Sequence, residues 1–192
     1  MLEPVNTDRA VGGVKTVSGV SLAAAFADAL ACESGEEIGL IPCADGGTGI
    51  RQWLPGEVLF DHAVMQTRLA MRSSALCGIL WHQGEADCYN MTDDEYAAHF
   101  LTVMRGFREA HENPSLPIVI GELAWEFGEN YPSLTAAAPG FNKLLSRLSK
   151  ELPRCAIASA EGLTLKPDGL HFDAASLRVF GQRYLEKYYE LI

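Results

Sequence analysis

Short apolar runs alternate with amphipathic segments of helical spacing along this chain, and no other feature restricts the fold as strongly. The four apolar runs span residues 37–43, 75–84, 116–123 and 154–160. Continuous apolar strands separated by amphipathic helices are typical of a parallel sheet that is covered on both faces. The sequence therefore predicts an α/β fold of three layers.

Five amphipathic segments supply the predicted helices, over residues 20–32, 61–72, 92–111, 139–151 and 173–191. Ser18 or Ser21 is a candidate cap for the first helix, and the sequence TDDE at residues 92–95 forms a capping box for the third. Neither an internal repeat nor a low-complexity tract divides the chain. We expect residues 1–192 to form a single domain.

Charge and hydropathy argue against two classes of partner. The chain carries 25 acidic and 15 basic side chains, and no basic cluster is dense enough to follow the phosphate backbone of a nucleic acid. The longest apolar stretch, residues 20–32, contains Asp28 and is too short to span a membrane.

No basic segment followed by an apolar one opens the sequence, so a cytoplasmic location is predicted, with secretion the alternative if the natural start lies upstream.

A glycine-rich turn, ADGGTGI at residues 44–50, directly follows the first predicted strand. Backbone amides that are free of side chains at Gly46, Gly47 and Gly49 can converge on an anion or on a developing oxyanion. A turn without any ligand is the simpler interpretation. The glycine patterns of nucleotide-binding loops are not present.

The segment WHQGEAD at residues 81–87 places His82, Gln83, Glu85 and Asp87 at the end of a predicted strand. Packing does not need polar residues there, so they favour a functional loop over a loop that is polar by chance. His82 and Glu85 could bind a metal ion. A zinc site needs at least three protein ligands, and neither HExxH nor CxxC occurs in the sequence, so we predict no metal.

The segment DGLH sets Asp168 and His171 three residues apart, just before the last predicted helix. A carboxylate can accept a hydrogen bond from one imidazole nitrogen and leave the other nitrogen to take a proton from a nucleophile. A purely structural alternative puts Asp168 in a turn with Gly169, or has Asp173 cap the last helix while His171 packs.

Together the glycine turn, WHQGEAD and DGLHFDAASLRVFGQRY resemble the SGNH-type hydrolases. The resemblance is greatest to the sialate O-acetylesterase and acetylxylan esterase-like carbohydrate esterases, in which W[HY]QGE is a distinctive signature. It extends over residues 18–184. It implies a flavodoxin-like sheet, an esterase that removes acetyl groups from acetylated carbohydrate, and no cofactor.

The resemblance also implies roles for individual residues. His171 would be the general base and Asp168 its partner. Gly47 would offer a backbone amide to the oxyanion, and Gln83 a side-chain amide.

Three further residues take less definite roles from the resemblance. Glu85 would hold the loop or touch the substrate. Trp53, which follows the glycine turn as in the family, and Trp81 could offer faces on which a sugar stacks, or could belong to the core.

The sequence departs from the family at the nucleophile, a serine that the related enzymes carry in a GQSN block after their first strand. Neither GQSN nor GDS occurs in the 192 residues. Ser18 and Ser21 lie in a segment that resembles the second helix of the family, and Thr48 has no precedent there. We therefore expect a sheet without its first strand, whose exposed edge would favour self-association into homo-oligomers.

Three explanations fit the absent serine: a gene start assigned too late, which we favour, a degenerate relative, or a segment or partner that completes the site. The main functional alternative is accordingly a non-catalytic carbohydrate-binding remnant. Metal-dependent hydrolysis through His82, Glu85 and His171 is a third hypothesis.

Overall fold

A computed structural model describes residues 20–192 of the chain. Its helices are α1 (Leu22–Ser34), α2 (Val58–Ala70), α3 (Asp93–Ala110), α4 (Pro132–Glu151) and α5 (Ala174–Tyr189). Its strands are β1 (Ile79–Trp81), β2 (Ile118–Gly121) and β3 (Cys155–Ala158), and a short 3₁₀ helix covers Ile50–Trp53.

The three strands form a parallel sheet in the order β1-β2-β3. Ile118 of β2 pairs with Ile79 on one side and with Cys155 on the other. All four residues of β2 are buried, and because successive side chains of a strand point to opposite faces, both faces of the sheet are covered. Helices α4 and α5 both contact β3, and α1 packs on α5. The predicted α/β fold of three layers is confirmed.

Local capping signals set where the helices begin. The Ser21 hydroxyl accepts a hydrogen bond from the Ala24 N–H at 3.0 Å, whereas Ser18 lies outside the described residues. The Thr92 hydroxyl accepts from the Glu95 N–H at 3.3 Å at the start of α3. These contacts satisfy amides that have no partner within the helix.

Helix α4 begins at Pro132, seven residues before the predicted start at Pro139. A proline in a helix interior removes one backbone hydrogen bond, which is why the sequence suggested a boundary there. The buried Leu134, Ala138 and Phe141 continue one apolar stripe through Pro139, and the packing of that stripe outweighs the lost bond.

Residues 37–43 form no strand, although their apolar run predicted one. A strand needs a hydrogen-bonded neighbour, and within residues 20–192 strand β1 pairs with β2 alone. Ile38, Leu40 and Ile41 are therefore only half-buried. The expectation of a missing first strand concerns the part of the chain before α1, which lies outside the described residues.

Aromatic packing joins α5 to the carboxyl end of the sheet. The Tyr184 hydroxyl donates a hydrogen bond of 2.8 Å to the Trp81 carbonyl, where β1 ends. Phe180 is fully buried between Tyr184 and Phe172, with ring centres 5.0 and 5.3 Å away. Within the described part of the chain no helix is long and apolar enough to cross a membrane.

Candidate active site

Polar segments that are distant in sequence meet at the carboxyl end of the sheet. The Gln83 side chain, just after β1, donates a hydrogen bond of 3.2 Å to the Thr48 carbonyl in the glycine turn. The His82 ring lies 5.9 Å from the ring of Phe172, which is the neighbour of His171 in the chain. Open parallel sheets bind their ligands at this edge, so the three predicted segments occupy the expected position for a site.

Asp168 and His171 form a hydrogen-bonded pair in the turn before α5. The Asp168 Oδ2 atom lies 3.0 Å from His171 Nδ1. The other carboxylate oxygen accepts from the backbone N–H groups of Leu170 and His171, at 2.9 and 3.0 Å. Gly169 supplies the positive φ of 69° that this tight turn requires. The carboxylate thus fixes both the turn and the imidazole.

The surroundings of Asp168 keep its carboxyl group ionised. Burial on its own would raise the pKa, but the N–H groups of His171 and Leu170 and the His171 imidazole together lower the pKa of Asp168 to about 2. The His171 side chain is 66% exposed, so its ring is open to a reacting group from the solvent side. An ionised carboxylate on Nδ1 leaves Nε2 to exchange protons.

The hydrogen bonds that both interpretations of the DGLH segment require are present, but His171 does not pack, since its side chain is 66% exposed. Asp168 forms the turn and also contacts the imidazole. Asp173 caps α5, since its carboxylate accepts from the Ser176 N–H at 2.8 Å. The segment is closed further by a 2.7 Å hydrogen bond from the Lys166 N–H to the His171 carbonyl.

The glycine turn is held by a buried carboxylate from the WHQGEAD segment. Asp87 is 5% exposed, and its Oδ2 atom accepts hydrogen bonds from the Ile50 N–H at 2.8 Å and from Gln83 Nε2 at 2.6 Å. Gly47 is exposed, has a φ of 75°, and no atom lies within 4 Å of the place where a Cβ would be. Asp87 therefore anchors one end of the turn, while Gly47 stays open to a ligand.

The carboxamide of Gln83 is engaged on both sides. Its nitrogen donates to the Thr48 carbonyl and to Asp87, and its oxygen accepts a hydrogen bond of 3.2 Å from the Tyr96 hydroxyl. Burial and the charge of Asp87 raise the pKa of Tyr96, so this phenol stays a donor. Gln83 thus connects the glycine turn with α3.

Thr48 is not available as a nucleophile in this arrangement. Its hydroxyl donates to the Asp45 carbonyl at 2.7 Å and accepts from the Trp53 indole N–H at 3.1 Å. The residue is only 5% exposed. The Ser21 hydroxyl is occupied as the cap of α1.

His82 and Glu85 lie together beside the predicted base. The distance from His82 Nε2 to Glu85 Oε1 is 3.4 Å. Burial alone would raise the pKa of Glu85, but the hydrogen bond and charge of His82, and more weakly the charge of His171, lower it. Among residues 20–192 no group of three or more His, Cys, Asp or Glu side chains is arranged to hold a metal ion. The metal hypothesis therefore gains no support from the described site.

The two tryptophans that the sequence suggested as sugar-stacking faces are buried. Trp53 and Trp81 are 6% and 8% exposed, and their rings pack edge to face with centres 5.5 Å apart. Neither offers an open face to a ligand. Trp125 is 37% exposed, lies in the loop after β2, and was not singled out from the sequence because no motif surrounds it.

Two of the known proteins to which this chain is similar are described as a probable carbohydrate esterase and as a carbohydrate acetylesterase. A probable carbohydrate esterase of Arabidopsis thaliana is 33% identical over 176 residues, which cover 88% of this chain. The chain spans 62% of the length of that relative. A solved structure of a protein from Arabidopsis thaliana superposes with a TM-score of 0.78 at 28% identity, over 92% of this chain and 71% of that one.

A crystal structure of a carbohydrate acetylesterase from Xanthomonas citri shares the fold. Its TM-score is 0.69 at 20% identity, over 88% of this chain and 40% of that one. The model of the family described as carbohydrate esterase, sialic acid-specific acetylesterase, matches residues 1–190. That match covers all three segments of the site. The chain thus belongs to the sialic acid-specific acetylesterase family of carbohydrate esterases.

Proposed function

We propose that this chain forms the base and oxyanion side of an esterase site that removes O-acetyl groups from carbohydrate. The observation that carries the proposal is the Asp168–His171 pair, with 3.0 Å between Oδ2 and Nδ1, at the carboxyl end of the sheet. Family membership supports the reaction class. The ionised Asp168 holds the imidazole in the tautomer that a general base needs.

The proposed reaction uses these groups in two steps. A serine hydroxyl gives its proton to His171 Nε2, and its oxygen bonds to the acetyl carbonyl carbon. The Gly47 N–H stabilises the negative oxygen that forms. The sugar oxygen then leaves with the proton from His171. In the second step His171 takes a proton from water, which attacks the acetyl-serine and releases acetate, and the proton returns to the serine oxygen.

The serine itself comes, in this proposal, from a segment outside the 192 residues. The sequence has no GQSN block, and the hydroxyls of Ser21 and Thr48 are engaged elsewhere. Gln83 fixes the glycine turn, and an N–H of its amide can reach the oxyanion only by leaving Thr48 or Asp87. Glu85 holds the WHQGEAD segment through His82.

Hydrolysis of para-nitrophenyl acetate tests the proposal. The assay compares the 192-residue chain with a form extended by the upstream coding sequence in the same frame. We expect turnover in the extended form alone, reduced by roughly a thousandfold or more in His171→Ala. His62→Ala is the matched control, because His62 is an exposed histidine of α2 whose ring contacts Gln66. Wild-type turnover in His171→Ala would contradict the assignment.

A non-catalytic carbohydrate-binding role is the second candidate. The engaged hydroxyls of Ser21 and Thr48 favour it, because they leave the Asp168–His171 pair without a nucleophile from α1 or the glycine turn. It predicts heat of binding with acetylated oligosaccharides and no turnover in either form of the chain. Turnover by the extended form would exclude it.

A further inference from the structure

Trp125 lies in the loop that follows β2 and differs from the other two tryptophans of the chain. It is 37% exposed, whereas Trp53 and Trp81 are buried. Its indole N–H donates a hydrogen bond of 3.1 Å to Glu122 Oε2. Because the polar N–H is engaged, the surface that Trp125 offers to a ligand is chiefly its apolar ring.

The acceptor of that hydrogen bond is itself fixed. The same Oε2 atom of Glu122 accepts from the Ser159 hydroxyl and from the Ala160 N–H, both at 2.9 Å. Ser159 and Ala160 follow directly after β3. Glu122 thus holds the Trp125 indole against the end of the neighbouring strand.

The backbone around Trp125 is held on both sides as well. The buried Asn142 side chain accepts from the Leu123 N–H at 2.8 Å and donates to the Leu123 carbonyl at 3.0 Å. The Phe127 N–H donates to the Thr135 hydroxyl at 3.2 Å. An aromatic ring on a fixed backbone loses little conformational entropy when it binds a ligand.

A direct glycine contact joins this loop to the turn that carries the base. The Gly128 N–H donates a hydrogen bond of 2.7 Å to the Gly169 carbonyl, between Asp168 and His171. A Cβ on Gly128 would lie 2.8 Å from the Gly169 Cα, so the two backbones touch. Trp125, three residues before Gly128, therefore lies in the loop that contacts the turn of the base.

We propose that Trp125 is the platform on which the sugar ring of the acetylated substrate stacks. The inference rests on the proposed function for the acetyl group, and it assigns the carbohydrate contact to a residue outside the three motif segments. A pyranose ring has an apolar C–H face that packs on a flat aromatic surface, and carbohydrate hydroxyls stay in water around it.

The charge around Trp125 selects a neutral sugar. Residues 122–131 include the three carboxylates of Glu122, Glu126 and Glu129 and no Lys or Arg. Arg183 donates to the carbonyls of Ser159 and Glu161, both at 2.8 Å, and the exposed Lys166 lies in the segment that carries the base. Like charges disfavour an acidic sugar beside this loop. The platform fits a neutral acetylated sugar better than a sialic acid, which carries a carboxylate.

Calorimetric titration of the His171→Ala variant with an acetylated xylo-oligosaccharide tests the platform without any hydrolysis. We expect Trp125→Ala to raise Kd about three- to tenfold, the usual contribution of one aromatic contact. Trp125→Phe keeps an aromatic face and should recover most of the affinity. Tyr189→Ala is the matched control, because Tyr189 is also an exposed aromatic residue, 40% exposed, at the end of α5.

The outcomes separate this inference from the proposed function. Para-nitrophenyl acetate has no sugar ring, so in the extended form Trp125→Ala should lower acetate release from the acetylated xylo-oligosaccharide more than it lowers turnover of para-nitrophenyl acetate. Sugar binding that depends on Trp125, together with no turnover by the extended form, upholds the platform and refutes the esterase. Equal Kd values for His171→Ala with and without Trp125→Ala, or no binding by His171→Ala at tens of millimolar, overturn the platform. Tighter binding of an O-acetylated sialic acid overturns the preference for neutral sugars.

Discussion

The Asp87 carboxylate holds the glycine turn through the Ile50 N–H, a contact called the clasp below. The substitution Gly49→Ala, which adds one methyl group, tests this clasp. Gly49 has φ −87° and ψ 161°, a conformation that alanine adopts without strain. A Cβ at this position would lie 2.8 Å from Asp87 Oδ1, closer than carbon and oxygen can approach. Gly49→Ala therefore acts on the structure only by displacing the Asp87 carboxylate.

The loss of stability in Gly49→Ala depends on the hydrogen bonds that the Asp87 carboxylate accepts. Its Oδ2 atom accepts from the Ile50 N–H and from Gln83 Nε2 in a buried environment. A hydrogen bond to a charged group contributes roughly 1.5–3 kcal/mol, and displacement weakens two of them without abolishing both. The alanine also stabilises the folded state by about 0.4–1 kcal/mol, because it reduces the conformational entropy of the unfolded chain. We expect a net loss of about 1–3 kcal/mol, or roughly 2–12 °C in Tm.

Urea unfolding of matched variants measures this loss. Gly46→Ala is the control, because Gly46 lies in the same turn and no atom is within 4 Å of the place where its Cβ would be. We expect Gly46→Ala to stay within about 1 kcal/mol of wild type. In an Asp87→Ala background the cost of Gly49→Ala should vanish, since the clashing oxygen is gone. Equal stability of Gly49→Ala and Gly46→Ala would refute the clasp.

Two further predictions concern the base and the core. Because the pKa of Asp168 is lowered to about 2, its stabilising contacts are complete above the unfolded value of about 3.9 and are lost as pH falls through about 2. The Tm difference between wild type and Asp168→Asn should be constant at neutral pH and shrink as pH falls through about 2; a difference that does not shrink contradicts the lowered pKa of Asp168. Gly121→Ala places a Cβ 2.1 Å from the Tyr184 hydroxyl, so thermal unfolding should show a loss of about 3 kcal/mol or more, and a wild-type Tm would refute the packing.

Features that depend on neighbours in the sequence were predictable. The Thr92 cap and the Asp168–His171 turn each lie within four consecutive residues, and both occur where the sequence indicated. The three strands of the sheet also followed from their apolar runs, since a continuous apolar strand of a covered parallel sheet needs no partner of special chemistry.

Features that depend on distant contacts were not predictable. Residues 37–43 have the composition of a strand but no strand neighbour in the described part of the chain, and no local signal reveals that. The sequence suggested Trp53 as a sugar contact, but the Trp81 ring packs against it. The exposure of Trp125 and the hydrogen bond from Ile50 to Asp87 depend on contacts between separate elements. Neither periodicity nor a sequence motif predicts such contacts.

Acetate release from an acetylated xylo-oligosaccharide by the extended form of the chain tests the central claim most directly. We expect wild type to release acetate, His62→Ala to match it, and His171→Ala to release roughly a thousandfold less. No acetate from wild type, or equal release from His171→Ala, would contradict an esterase site built on the Asp168–His171 pair.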